Sequence, residues 1–434
     1  MNIKSFLSDV LGFGIASFLT KGAALLIVPI LTRNLSPAEY GSLEILVGFG
    51  AIAAVLVSLS LESYIARQWG GFQQKTEQSK LFSSTCLVVL ILGIVAVTVS
   101  FLSARFASNT LFGNASYSMP IVLIVSYGTL MALLSLPLIV LRMERLLKPY
   151  LAVVLIQSTV YLISVLWLLN ESSITVETIV LAMLISGLLS LFVALFSVRK
   201  YLVFSFDSGL LKDSLRYSLP LLPAVGATWI NSQVDKYTLL YFLDAKVVGE
   251  FAVVTKIAAV VAMGVMVFRQ AWLPYSFKLA RMPSNGAMQF RQVMTWYYFI
   301  GLSLCLLVVL FSKPIISLLV PDEYQINVSV LPVLLLASLV YGSASIANIG
   351  MLVSGKTEWN SYASLVGVIL NIVLTFILVP IYGVAGAAYG TLVAAGVFTL
   401  VLAVRTRVEL DIGFGMLPAG LMLCYFVLSY AAVM

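Results

Sequence analysis

Residues 81–104 read LFSSTCLVVLILGIVAVTVSFLSA, 24 positions without one charged side chain. About 20 mostly apolar residues suffice for a helix to cross the hydrocarbon core of a bilayer, and the run here is continuous where a barrel strand would alternate. Twelve further stretches share this character, near 10–32, 41–65, 118–141, 150–169, 177–198, 216–241, 247–270, 292–312, 328–353, 361–380, 385–404 and 415–434. Of the 434 residues, 61% are hydrophobic and 10% charged, with a mean hydropathy of +1.07; a soluble domain carries about 25% charged residues. The expectation is an all-α, polytopic membrane protein.

Charge sets the orientation. The N-terminus and the connections on its side of the membrane hold Lys4, Arg67, Lys75, Lys80, Arg142, Arg145, Lys148, Arg199, Lys200, Lys212, Arg216, Lys278, Arg281, Arg291, Lys356, Arg405 and Arg407, 17 cations, against Arg33, Arg105, Lys246 and Lys313 opposite. The positive-inside rule then puts the N-terminus in the cytoplasm. The net charge of +7 is topology, with no implication for nucleic acid. The first run contains Lys21 and lacks a small-residue cleavage site, so it is expected to stay as a helix.

Several function classes drop out. There is no histidine, and Cys86, Cys305 and Cys424 lie singly in separate apolar spans without metal-site spacing. No phosphate-binding G-x-x-x-x-G-K-[ST] occurs, and no external loop is long enough for a transferase or ligase site. An enzyme is not expected, and no cofactor is required.

The longest connection, RKYLVFSFDSGLLKDSLR at 199–216, separates two groups of six spans. This gives an N-terminal lobe at 1–200, a cytoplasmic connection at 201–214, a C-terminal lobe at 215–407 and an added segment at 408–434. A shift of 208 sets Leu35-Ser36-Pro37-Ala38-Glu39-Tyr40-Gly41 on Leu243-Asp244-Ala245-Lys246-Val247-Val248-Gly249, while RMERLLKPY before span five sits where SGKTEWNSY precedes span eleven. Six spans per half make the repeat parallel, and two such bundles would enclose a cleft. Pro29, Pro220, Pro223 and Gly264 mark candidate kinks.

Charge at membrane depth costs at least ~2.5 kcal/mol on insertion scales, so it persists where it meets water, a counter-charge or a substrate. Lys21, Lys236, Lys256 and Arg269 lie inside spans or at their edges. In WINSQVDKYTLL, Asn231 and Asp235 are four apart, as are Ser232 and Lys236, so each pair shares a helix face. Either Asp235 forms a structural ion pair with Lys236 or Lys21, or it takes up a cation while the lysines hold an anion. Lys256 and Arg269, 13 residues apart, are separated by about 20 Å and roughly 220° on a straight helix and cannot line one narrow site. Glu62 and Glu44 read as interfacial, with Glu62 also a charge-balancing candidate.

The segments LTRNLSPAEYGSLEI, SLRYSLPLLPAVGATWINSQVDKYTLLYFLDAKVVGEFAVVTKIAAV, FRQAWLPYSFK and SGKTEWNSYASLVGVILNIVLTFILVPIYGVAGAAYGTLVAA resemble the bacterial Wzx-type polysaccharide flippases, in the superfamily that includes MATE exporters and the lipid II flippase. The resemblance implies twelve core helices as two six-helix lobes, with a thirteenth segment as a departure. It also implies inner-membrane location and alternating access for an undecaprenyl-pyrophosphate-linked oligosaccharide of the O-antigen or lipopolysaccharide kind. Lys21, Lys236, Lys256 and Arg269 would line a cationic cavity, and Asp235, Asn231 and Glu62 would balance charge or couple H+ or Na+. Membrane lipids, a polysaccharide polymerase and a chain-length regulator are the implied partners. The family often has arginine beside the span-seven aspartate; Lys236 keeps the charge without a bidentate phosphate contact. A MATE-like small-molecule exporter is the competing reading.

Overall fold

Ser36 and Glu39 start the first long helix by capping each other: the Glu39 amide donates to Ser36 Oγ at 3.3 Å, and the Ser36 amide donates to Glu39 Oε2 at 2.9 Å. Such a box satisfies two orphan amides and is worth about 1 kcal/mol. Asp244 does the same 208 positions later, where the Val247 amide donates to Asp244 Oδ1 at 2.8 Å. The two segments aligned by the repeat are thus both helix starts.

The computed structural model describes residues 22, 25–72, 74–171, 174–203, 205–280, 286–356, 358–410 and 417–433, and every regular element among them is helical. The chain divides into two compact units, Met1–Trp229 and Ile230–Met434. The first contains α1 (25–32), α2 (Pro37–Ser58), α3 (Leu61–Gln68), α4 (Lys75–Phe112), α5 (Ser118–Met143), α6 (Leu147–Asn170), α7 (Val176–Ser197) and α8 (Ser208–Ser218). α9 (Leu222–Phe242) crosses the division. The second unit continues with α10 (Ala245–Ala280), α11 (Gly286–Leu310), α12 (Ser312–Leu319), α13 (Leu331–Ala347), α14 (Ile349–Ser354), α15 (Glu358–Tyr382), α16 (Val384–Leu410) and α17 (Leu417–Val433). Ten helices among the described residues are long and apolar enough to cross a membrane.

In the first unit α5 is central, packed by α2, α4 and α7. Its contact with α2 depends on bare backbone: a Cβ on Gly128 would sit 2.3 Å from the Gly50 carbonyl oxygen. Small residues at such crossings replace the hydrophobic drive that lipid does not supply. In the second unit α13 is central, between α10, α11 and α16. Side chains of those helices donate to its carbonyls: Tyr297 to Leu339 at 2.8 Å, Thr399 to Val340 at 2.9 Å and Trp272 to Ser345 at 3.1 Å.

Two of the expected spans are broken. Leu59 and Ser60, both at positive φ (48° and 56°), separate α2 from α3. Ser58 accounts for the break, since its hydroxyl donates to the Val55 carbonyl and accepts from the Ser60 amide, offering the backbone an alternative to the helix ladder. Asn348 separates α13 from α14, and Thr406 bridges the gap by donating to the Ala347 carbonyl and accepting from the Gly350 amide. At the expected kink near Pro220, α8 gives way to a short 3-10 turn, Leu219–Leu221, before α9; α10 runs unbroken through Gly264.

The loop before the fifth span is tied to the end of the sixth in each unit, with exchanged charges. Glu144 faces Lys200 at 3.8 Å in the first unit, and Lys356 meets Glu409 at 2.9 Å in the second. Aromatic rings support both: Trp69 Nε1 donates to Glu144 at 2.8 Å, and the Arg405 guanidinium lies 3.7 Å above the Trp359 ring.

Candidate functional site

Asn231 and Asp235 lie one turn apart on α9, and within the second unit α15 and α16 bring polar side chains to both. The Thr391 hydroxyl donates to Asp235 Oδ2 at 2.7 Å and the Thr375 hydroxyl to Oδ1 at 3.3 Å. Thr375 also lies 3.2 Å from Asn371 Oδ1, and Asn371 Nδ2 donates to Asn231 Oδ1 at 3.1 Å. One carboxylate, two hydroxyls and two amides thus form a continuous network across α9, α15 and α16. The Gly390 backbone fixes its tightness, because a Cβ there would lie 2.9 Å from Thr375 Oγ1.

Every member of this network carries an oxygen that can turn toward a guest. Such a set can accept a proton on the carboxylate or surround a small hard cation, since hydroxyls and amides act as either donors or acceptors. Hydrogen-bonding neutral groups around a buried carboxylate also lower its desolvation penalty. The Lys236 ammonium, half-buried on the next position, lies within electrostatic reach of Asp235. Lys256 is half-buried on α10, and Arg269 is exposed farther along that helix. Lys21 lies outside the described residues.

Glu62 belongs to the first unit, at the start of α3 beside the Leu59–Ser60 break, and its Oε2 is buried without a hydrogen-bond partner. Glu44 differs from the expectation of an interfacial position: it is only 6% exposed, because α2 turns this position inward and brings it within electrostatic reach of Tyr161 on α6. Asn371, Thr375 and Thr391 were not singled out from sequence. The usable signal was Asn371 and Thr375, four apart in an otherwise apolar span, the same spacing that marked Asn231 and Asp235. A separate cavity of about 200 Å³, lined by Ser329, Pro332, Ala385, Tyr389, Phe426 and Ser429 among others, contains none of the expected site residues.

Residues 6–280 match the family described as "Polysaccharide biosynthesis protein". No curated protein matches the sequence significantly. An inward-facing multidrug resistance MATE family transporter of the MOP superfamily has a TM-score of 0.72 at 15% identity, over 90% of this chain and 94% of that one. The lipid II flippase MurJ in an inward closed conformation gives 0.69 at 15% identity, over 96% and 98%. A MOP superfamily transporter from Pyrococcus furiosus, described as having a binding pocket of reverse polarity, gives 0.60 at 15% identity over 93% and 95%. At such identities the likeness is one of fold: the chain has the MATE-like helical architecture.

Proposed function

The chain belongs to the polysaccharide biosynthesis protein family, and from that membership we propose that it is a flippase, a transporter rather than an enzyme. Its cargo is an undecaprenyl-pyrophosphate-linked oligosaccharide, moved from the cytoplasmic to the periplasmic leaflet of a bacterial inner membrane by alternating access, with the N-terminus in the cytoplasm. A polysaccharide polymerase with its chain-length regulator receives the product. The MurJ likeness, to a lipid II flippase, supports the class of cargo.

One observation carries this reading: the charge balance at membrane depth on α9 and α10. Setting aside Asp244, Lys246 and Glu250 near the α9–α10 turn and Lys278 at the far end, these helices carry Lys236, Lys256 and Arg269 against Asp235 alone. Asp235, within electrostatic reach of Lys236, offsets one of these three charges and leaves the two helices with a net positive balance. A cationic path suits a pyrophosphate and disfavours an organic cation. Lys21 joins the set on sequence grounds. The Asp235 network, with Asn231, binds the coupling ion, H+ or Na+, and Glu62 balances charge in the first unit.

Replacing Lys21, Lys236 and Lys256 by glutamine should leave lipid-linked units on the cytoplasmic leaflet, measured by their accessibility to an impermeant sugar-modifying reagent in spheroplasts. Wild-type polymer output from the triple variant would refute the proposal. Drug susceptibility that rises with loss of the protein, with glycan unaffected, would instead identify a small-molecule exporter.

A further inference from the structure

The connection between the two six-span groups is bound along its length to the first unit. Ser83 Oγ on α4 donates to the Tyr201 carbonyl at 3.3 Å and accepts from the Val203 amide at 2.9 Å. Ser84 Oγ accepts from the Asp207 amide at 2.9 Å, and the Asp207 side chain caps α8 through the Gly209 and Leu210 amides at 3.0 Å. Tyr201 is buried edge-on to Trp69, and Tyr217 packs on Tyr64 beneath the Arg67 guanidinium. Leu210 and Leu215 press into the same apolar core. Every anchor comes from one side of the segment.

The opposite side is only partly covered by the described residues. Leu202, Val203, Phe206 and Leu219 are 43%, 39%, 54% and 45% exposed. Exposed cations surround them, Arg199 and Lys200 before Leu202 and Lys212 and Arg216 between Phe206 and Leu219, with one exposed carboxylate, Asp213, among them. Four apolar side chains facing bulk water would be an unfavourable surface for a connection held this rigidly. Depth resolves the conflict. Ser83 and Ser84 stand at the threshold of the uncharged run of α4, and the face bearing Ser83 continues into Leu87, Leu90, Ile91 and Ile94, all exposed and apolar. The segment is therefore pinned where the lipid-facing surface begins, and its own apolar side chains extend that surface. Apolar groups bracketed by lysine and arginine are the pattern of an interfacial segment, with cations reaching headgroups while the apolar groups sink.

We infer that residues 199–203 and 205–219 form an interfacial clamp that binds anionic phospholipid headgroups of the leaflet on the Lys/Arg-rich side. Leu202, Val203 and Phe206 enter the acyl boundary, and Arg199, Lys212 and Arg216 contact phosphates. Charge complementarity and continuity with the α4 lipid face select this occupant. The inference is independent of the cargo.

The test uses the full-length protein with Cys86, Cys305 and Cys424 replaced by serine and a spin label at Leu202→Cys or Phe206→Cys, in phosphatidylcholine vesicles with and without phosphatidylglycerol. With phosphatidylglycerol the label should be accessible to oxygen and shielded from a water-soluble nickel relaxant; without it, shielding should fall. Each of Arg199→Gln, Lys212→Gln and Arg216→Gln should weaken the apparent affinity for phosphatidylglycerol about fivefold, the effect of roughly one headgroup contact per cation. A label equally open to nickel in both vesicles overturns the clamp, and a cytosolic protein docking there would give that result. Equal shielding in both vesicles overturns the headgroup assignment. Thermal stability of the wild-type protein gives a label-free check: phosphatidylglycerol should raise it, and the triple glutamine variant should lose the gain.

Discussion

Asp235 is held by groups that no periodicity in its own helix could name. Its spacing from Asn231 was legible, because i and i+4 share a face; Thr375 and Thr391 were not, because they come from helices about 140 and 156 positions away. The Asp235 carboxylate accepts from two threonine hydroxyls and also lies within electrostatic reach of Lys236, contacts that serve the ion-pair and the cation-binding readings alike, and the proposed function takes the second. Asp235→Asn should therefore reduce gradient-driven transport about 5- to 150-fold, the usual span of a coupling free energy, in proteoliposomes under an imposed H+ or Na+ gradient. Thr391→Val removes the shorter bond to the carboxylate and should lower stability by about 1.5–3 kcal/mol, read in detergent unfolding. Gly390→Ala should act on the same network by pushing Thr375 away, with about 1–3 kcal/mol of overpacking. Ser60→Gly works in the opposite direction. It removes a left-handed Cβ and a fully buried hydroxyl without a partner (1% exposed), and should stabilise the protein by about 1 kcal/mol or more.

Helices were readable as elements because 20-residue apolar runs have few other uses, whereas their surroundings were not. α6 and the α13–α14 pair are similarly hydrophobic, yet only 17% of the most apolar stretch of the former is buried in protein against 83% of the latter. Lipid and protein interior are both apolar, so composition does not separate the two. The break at Leu59–Ser60 escaped notice because no proline or glycine marks it; a serine hydroxyl competing for backbone bonds does the work. At the Lys/Arg-rich end of α5, Glu144 shows what a loop residue can tie together. Partial burial would raise its carboxyl, but the Trp69 N–H bond and the Lys200 and Lys75 ammoniums outweigh burial and hold it below the usual range. A depressed folded-state value means the stabilisation is complete above the ordinary carboxylate range and disappears as pH falls through the folded value. The melting temperature of the wild type should accordingly drop on acidification more than that of Glu144→Gln, the two converging at low pH.

Across the whole molecule, duplication was legible from one short alignment, Ser36 on Asp244, and the structure gives both the same task at a helix start. The exchanged Glu144–Lys200 and Lys356–Glu409 pairs extend the correspondence, though neither pairing could be read from sequence, since each joins a loop to a distant helix end. α17 packs on α11, and the Tyr425 hydroxyl donates to the Pro332 carbonyl at 3.2 Å; if this thirteenth segment crosses the membrane, the two chain ends face opposite compartments. Alkaline phosphatase fused after Met434 should then be active and a fluorescent protein fused there dark, with the reverse for a fusion after residue 410.

The side-chain bonds on α13 have a consequence for biogenesis. This helix leaves the ribosome after α10 and α11 but before α16, which supplies Thr399 and Thr406, so for a time its Val340 and Ala347 carbonyls must wait in the bilayer for their last partners. Quality-control proteases meet the nascent protein in that window. Lesions in α16 that loosen this grip, Thr399→Val first among them, should surface as scarce protein in the cell rather than as impaired molecules that reach maturity.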